Sequence, residues 1–190
     1  MKKARNPLKI LRKKIDQIDA KTVRLLDERA AAAMAVKRIK ERDGLPYFAP
    51  HRESEVLRRA VRLNRGFFPE ESMKAVFTEI ISGCMALENK MKVAYFGPRA
   101  TNTHLAALQR FGSSADLIPV PGIKDVFLDV ERGRAQFGVV PIENSTEGAV
   151  NHTLDLFVDS ELKICSEILM PIRYTIMSLS GDLKKVTRVY

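Results

Sequence analysis

The sequence predicts a protein in two unlike parts: an all-α unit over residues 1–90 and a parallel α/β unit over 91–190. Three observations carry this. Apolar positions step by threes and fours from Leu8 through Leu11, Ile15, Ile18, Leu25, Ala32 and Val36 to Ile39, a heptad seam. From Met91 onward, short apolar runs alternate with helical patterns over short links, which argues for a parallel sheet. Residues 1–90 hold 21 Lys and Arg against 12 Asp and Glu, while 91–190 hold 11 of each, so the entire net charge of +9 sits in the first part.

Taken in order, Asn6-Pro7 opens the first helix, with Asn as cap and Pro at the first helical position. The helix is expected to reach about Arg42. Asp43-Gly44 ends it and Leu45-Pro46 forbids its return. A turn over Tyr47 to Pro50 precedes a second helix from about His51, with Val56, Leu57, Ala60, Val61 and Leu63 turned inward and Asn64-Arg65-Gly66 as its stop. Pro69-Glu70-Glu71 starts a third helix, its acids placed where the helix dipole favours them. Its apolar face is Met73, Val76, Phe77, Ile80, Ile81, Cys84 and Leu87, and Glu88 follows Cys84 by one turn.

In the second part, strands are expected at Lys92 to Phe96, Leu117 to Val120, Phe137 to Ile142, Leu162 to Ile168, Arg173 to Ser178 and Val186 to Tyr190. Helices are expected over Thr103 to Phe111, Ile123 to Arg132 and about Ala149 to Val158. The last run is a strand with no helix after it. A two-lobed α/β binding unit needs roughly 80 further residues to close its cleft, so the second unit is read as incomplete.

Composition narrows the function classes. Two cysteines, Cys84 and Cys165, fit reduced thiols in a cytosolic protein, and Cys165 reads as a small core residue. Met85, Met170 and Met177 read as packing, and His51, His104 and His152, at or near helix starts, as structural hydrogen-bonding groups. No signal-peptide apolar region and no 18-residue apolar run occurs, so neither secretion nor a membrane span is expected. The basic first part raises nucleic acid as a partner. Against that, its key cations lie on or beside an apolar seam, and no aromatic residues interleave with the others.

Thr22 and Arg29 are the only polar members of the seam, and a cation there is costly to bury unless an anion meets it. Arg12 and Lys40 stand one residue beside the seam, and Arg52 and Glu53 follow the turn. The reading is a cationic pocket for a small anion inside a helical bundle. Along one helix, Arg29 and Lys40 lie roughly 16 Å apart, close enough for two long side chains to share a ligand, whereas Arg12 and Arg29 lie roughly 25 Å apart. A helix of over 30 residues is also too long for a unit of about 90 residues to cover alone. Two intertwined chains, each lending Arg12 to the other's pocket, satisfy both constraints. Arg12, Arg29, Lys40 and Arg52 face only Glu53 and Glu88, a balance that suits a dianion held by arginine forks. With no nucleophile–base pair, metal-ligand cluster or glycine loop, the pocket suits a reaction helped by orientation and electrostatics alone, such as a unimolecular rearrangement.

Residues 7–90 resemble the all-helical chorismate mutase domain in the version fused to prephenate dehydratase. The match runs through Arg12, Glu28-Arg29, Lys40, Arg52-Glu53 and the Ile80-Ile81-Ser82 helix ending at Glu88. The resemblance implies an intertwined dimer that rearranges chorismate to prephenate by a Claisen step. Arg12 from the partner chain, Arg29 and Arg52 would hold the substrate carboxylates, and Lys40 would hydrogen-bond the ether oxygen. Glu53 would accept from the ring hydroxyl, Cys84 takes the place of a small polar contact, and Glu88 would be a second donor to the ether oxygen. Lys40, Glu88 and Arg29 are thus the implied catalytic residues. Only a protonated Glu donates, so the resemblance also implies activity that falls as pH rises.

Residues 92–190 resemble the first part of prephenate dehydratase, through Gly138-Val139-Val140-Pro141-Ile142-Glu143-Asn144-Ser145-Thr146-Glu147-Gly148. This is a buried strand leading polar side chains and a Gly turn to a helix start, a natural anion site. The resemblance implies an incomplete periplasmic-binding-protein-like α/β domain in which Asn144 and Ser145 bind prephenate, with Thr101 opposite. Here the usual acid–glycine–threonine–aromatic pattern after Gly97-Pro98 reads Arg99-Ala100-Thr101-Asn102. The family's later Thr-Arg-Phe motif does not occur, nor does its phenylalanine-binding regulatory domain.

The expectation is therefore a cytoplasmic, dimeric chorismate mutase from a bifunctional enzyme of phenylalanine biosynthesis, needing no cofactor or metal and binding no nucleic acid or membrane. Its second part is expected to dehydrate prephenate poorly or not at all. Two other classes stand beside this: a mutase joined to a non-catalytic prephenate-binding or dimerisation module, and a nucleic-acid-binding coiled coil.

Overall fold

The computed structural model describes residues 6–45, 50–144 and 148–172, together with 177, 178, 181, 182, 184, 186 and 188. Three helices come first: α1 (Pro7–Asp43), α2 (Pro50–Leu63) and α3 (Glu70–Glu88). The ends of α1 follow from local chemistry. Asn6 accepts from the Leu8 amide, and Gly44, at φ 64°, takes the left-handed conformation that closes the last turn onto the Lys40 carbonyl. Helix α3 packs against both α1 and α2, which do not pack on each other.

The long seam of α1 remains uncovered within one chain. Every residue from 7 to 28 is exposed, and the seam residues Leu8, Leu11, Ile15, Ile18, Leu25, Val36 and Ile39 are 46–63% exposed. Arg29 and Lys40, in the C-terminal part of α1, meet α3.

The α/β unit follows as β1 (Lys92–Phe96), α4 (Asn102–Phe111), β2 (Asp116–Val120), α5 (Ile123–Glu131), β3 (Phe137–Val139), β4 (Glu143–Asn144), β5 (Gly148–Ala149) and α6 (Asn151–Asp159). Strands β2, β1 and β3 form a parallel sheet in that order, so β1 is central and β2 is an edge strand that tolerates Pro119. Side chains alternate across β1. Val93 and Tyr95 join Val139 and Ala107 of α4 on one face, while Ala94 joins Val126 of α5 and Ala135 on the other. One helix on each face makes the sheet doubly wound. Helix α6 docks on α5 through an edge-on contact between Phe157 and Phe127, 4.8 Å between ring centres.

Several expectations need correction. Leu162 to Ile168 forms no strand: no further strand joins the sheet there, and an isolated extended segment has no ladder to hold it. β3 ends at Val139, two residues before Pro141, which lacks an amide hydrogen for the ladder. Gly148-Ala149 pairs with Glu143-Asn144 as a short antiparallel ladder, so the following helix begins at Asn151 instead of Ala149. Cys165 and Met177 are exposed; of the run Leu162 to Ile168, Ile168 packs on the sheet's core while the Cys165 side chain does not join it. Most of the expected strands at Arg173 to Ser178 and Val186 to Tyr190, and most of the turn over Tyr47 to Pro50, lie outside the described residues.

The two units meet along α3. Glu79 of α3 accepts from the Ser113 amide at 3.1 Å and from its hydroxyl at 2.6 Å. Gly112, at φ 76°, lies so close to α3 that a Cβ there would stand 2.5 Å from Cβ of Ser82.

Candidate active site

Helices α1 and α3 bring together four of the expected residues. Arg29 Nη1 donates to Cys84 Sγ at 2.8 Å and to the Ile80 carbonyl at 3.4 Å. Lys40 Nζ lies 3.7 Å from Glu88 Oε2, with side chains 19% and 11% exposed. The periodicities of the two helices explain the meeting. Residues 29 and 40 are three helical turns apart on α1, and residues 84 and 88 one turn apart on α3, so each pair presents one face. The Arg29 cation is half-buried against a thiol and a carbonyl, with no carboxylate in contact among the described residues. Such a group is poised to take an anionic ligand.

Three expected residues are not at this place. Arg12 is exposed on the uncovered stretch of α1. Arg52 Nη1 pairs with Glu55 Oε2 at 2.7 Å on the exposed side of α2. Its hydrogen bond, then its charge, holds the Glu55 carboxyl below the usual carboxylate range. Glu53 Oε1 accepts from Arg110 Nη1 of α4 at 2.8 Å. Nothing in the sequence pointed to Arg110: its position in the last turn of α4 reads as an ordinary solvated cation. Ser82 and Glu79, the other α3 residues facing α4, also carry no sequence signal for that role.

In the α/β unit, the order β2-β1-β3 places the switch point between β1 and β3, where the connections leave in opposite directions. The segments leaving β1 and β3 carry Thr101 and Asn144, so both lie at the sheet's carboxyl edge, where open α/β sheets take ligands. Thr101 Oγ1 caps α4. It accepts from the His104 amide at 3.3 Å and donates to the Pro98 carbonyl at 3.0 Å. His104 stacks on Tyr95, and its Nδ1 accepts from the Ala100 amide at 3.2 Å. Ala100, in the position of the family's usual glycine, has φ 65°. Asn144 is half-buried, and Ser145 lies outside the described residues. Among the described residues no group of His, Cys, Asp or Glu could hold a metal ion, and no helix is long and apolar enough to cross a membrane.

A helix pair that gathers cations, joined to a doubly wound sheet whose switch point lies between β1 and β3, makes a protein of two unlike parts. Residues 11–89 match the model for chorismate mutase type II, and residues 93–190 match the model for prephenate dehydratase. The chain belongs to the prephenate dehydratase family and carries a chorismate mutase type II segment ahead of that part. It is 49% identical over 187 residues to the bifunctional chorismate mutase/prephenate dehydratase of Aquifex aeolicus, covering 96% of this chain and 52% of the relative. It is 43% identical over 191 residues to the protein of that name from Pseudomonas aeruginosa, with the same coverage, so the chain spans about half the length of these relatives. Among solved structures, a Thermus thermophilus chorismate mutase is 34% identical, covering 44% of this chain and 94% of that one, with TM-score 0.43. A Streptococcus mutans prephenate dehydratase is 41% identical, covering 37% of each chain, with TM-score 0.35.

Proposed function

We propose that the helical segment rearranges chorismate to prephenate, as the resemblance implies, in a dimer whose partner supplies Arg12. The observation that carries this reading is the meeting of Arg29 and Lys40 with Cys84 and Glu88 between α1 and α3. In the Claisen step the ether C–O bond breaks as a new C–C bond forms, and negative charge gathers on the ether oxygen. Lys40 donates to that oxygen and stabilises the charge as it develops, while Arg29 holds a carboxylate and keeps the reacting ends in register. Glu88, a turn beyond Cys84, reaches the same oxygen and donates only when protonated.

The dimer is supported by the exposed seam of α1. A run of half-exposed Leu, Ile and Val on one helix face is far larger than a monomer ordinarily leaves bare. Arg12 lies on that stretch, and a second α1 laid along it carries the partner's Arg12 toward the Arg29–Lys40 pair. Arg52 and Glu53 complete the substrate contacts on this reading. We further propose that the α/β segment takes prephenate at the switch point with Asn144, Ser145 and Thr101, in the cytoplasm. The Thr101 hydroxyl already donates to the Pro98 carbonyl, so it donates to prephenate only by leaving that bond.

The test is a paired assay of chorismate loss and of phenylpyruvate formation from prephenate. Chorismate turnover that disappears in Arg29→Ala supports the helical site. A folded wild type without turnover removes it.

A further inference from the structure

One ion pair joins α2 of the helical unit to α4 of the α/β unit. Glu53 and Arg110 are 57 residues apart, and their ion pair is the closest polar link between α2 and the α/β unit among the described residues. Glu53 is 9% exposed and Arg110 19% exposed, so the pair is poorly screened by solvent. Yet it is incomplete. Glu53 Oε2 is buried without a hydrogen-bond partner, as is Ser82 Oγ, and both residues line a cavity of about 10 Å³ with Phe111 and Ser114. A buried carboxylate with one oxygen unsatisfied is held at a cost, and a ligand that satisfies it has a built-in advantage.

The pair also holds Glu53 on the wrong side of α3 for the chorismate site. Cys84, which meets Arg29, and Ser82, which lines the Glu53 cavity, are two residues apart and so point about 160° apart around the helix. Among the described residues α3 is the one element on which α2 packs, and a groove of about 1060 Å³ runs between α2, α3 and α4. In sequence, residues 44 to 49 separate α1 from α2.

We propose that the Glu53–Arg110 pair is an autoinhibitory latch: it withholds the start of α2 from the Arg29–Lys40 site, and chorismate must draw Glu53 off Arg110 to bind fully. The inference rests on the reading of that site as the mutase site. In a latched population only the released fraction binds tightly, which raises the apparent KM by the reciprocal of that fraction.

Chorismate kinetics of the whole chain test this. Arg110→Gln, which removes the charge, is expected to lower KM roughly fivefold with kcat unchanged. Arg110→Lys, which keeps the latch, is expected to stay near wild type. Adding Glu53→Leu to Arg110→Gln abolishes the gain, because the released residue then has no acceptor for the ring hydroxyl. In the wild type, hydrogen exchange over residues 102–111, pulsed with chorismate in excess, is expected to rise, and prephenate alone is not expected to raise it. If Arg110→Gln does not fold, this exchange measurement decides. An unchanged or raised KM in folded Arg110→Gln, with the wild type active, overturns the latch and leaves the mutase reading standing. A wild type that does not turn over chorismate removes both.

Discussion

Arg29 donates to the thiol sulfur of Cys84 at 2.8 Å, a contact that reaches from the seam of α1 to the inner face of α3. It orients the guanidinium with no carboxylate in contact among the described residues, so on the proposed reading an incoming anion meets a cation already aimed. The same contact makes Arg29 the residue on which the helical site depends most directly.

Arg29→Ala is therefore expected to lower kcat/KM for chorismate by about 10²- to 10³-fold, the usual loss when one preorganised donor is removed. Arg29→Lys recovers only part of it, because an ammonium cannot fork onto a carboxylate. Spectrophotometric loss of chorismate measures both. Equal activity in all three proteins places the chemistry elsewhere.

Mixing two variants tests the donation of Arg12 across a dimer. Arg12→Ala and Arg29→Ala are each expected to be nearly inactive. Random exchange of their subunits rebuilds about a quarter of the sites, since half the dimers are mixed and each mixed dimer holds one intact site. No recovery in a mixture shown to exchange subunits rules out donation in trans.

Glu88→Gln tests the second donor to the ether oxygen, because an amide donates from its nitrogen while a carboxyl donates only when protonated. Chorismate turnover is expected to be kept or raised in Glu88→Gln and lowered in Glu88→Ala. Equal losses in the two variants remove the donor role.

Glu55 reports on Arg52. The hydrogen bond from Arg52 holds the Glu55 carboxyl below the usual carboxylate range, followed by the charges of Arg52, Arg58 and Arg59. A depressed folded-state pKa means that the pair stabilises above the unfolded pKa and loses that contribution as pH falls through the folded one. Arg52→Ala is expected to move the Glu55 carboxyl resonance toward the ordinary titration range, as followed by NMR. An unmoved titration shows that the pair is not populated in solution.

Backbone conformation gives a stability pair. Ala100, at φ 65°, bears a Cβ in the left-handed region, so Ala100→Gly is expected to stabilise by about 1 kcal/mol. Gly112, at φ 76° and pressed on Ser82, is expected to lose about 2 kcal/mol or more as Ala. Thermal unfolding of the two variants should shift in opposite directions.

Much of this was legible in the chain because its causes are local. Asn6-Pro7 and Asp43-Gly44 bound α1 within a residue of expectation, since caps act over one turn. Helical spacing put Arg29 and Lys40 on one face of α1 and Cys84 and Glu88 on one face of α3, while the resemblance implied that the two faces meet. The α/β alternation announced a parallel sheet, and the charge break near Lys90 marked the boundary between the units.

Tertiary structure alone decided the rest. That Glu53 turns to Arg110 depends on which face of α3 receives α2, and no spacing within α2 specifies that. That β1 lies between β2 and β3, which sets the ligand edge, follows from crossover connections whose sense is a property of packed layers. Cys165 was misjudged because hydrophobicity describes a side chain's preference, while burial requires a neighbour to cover it. Capping, periodicity and charge act over a few residues and are written in the chain. The choice of partner across dozens of residues is a competition among surfaces, and it is settled only when those surfaces meet.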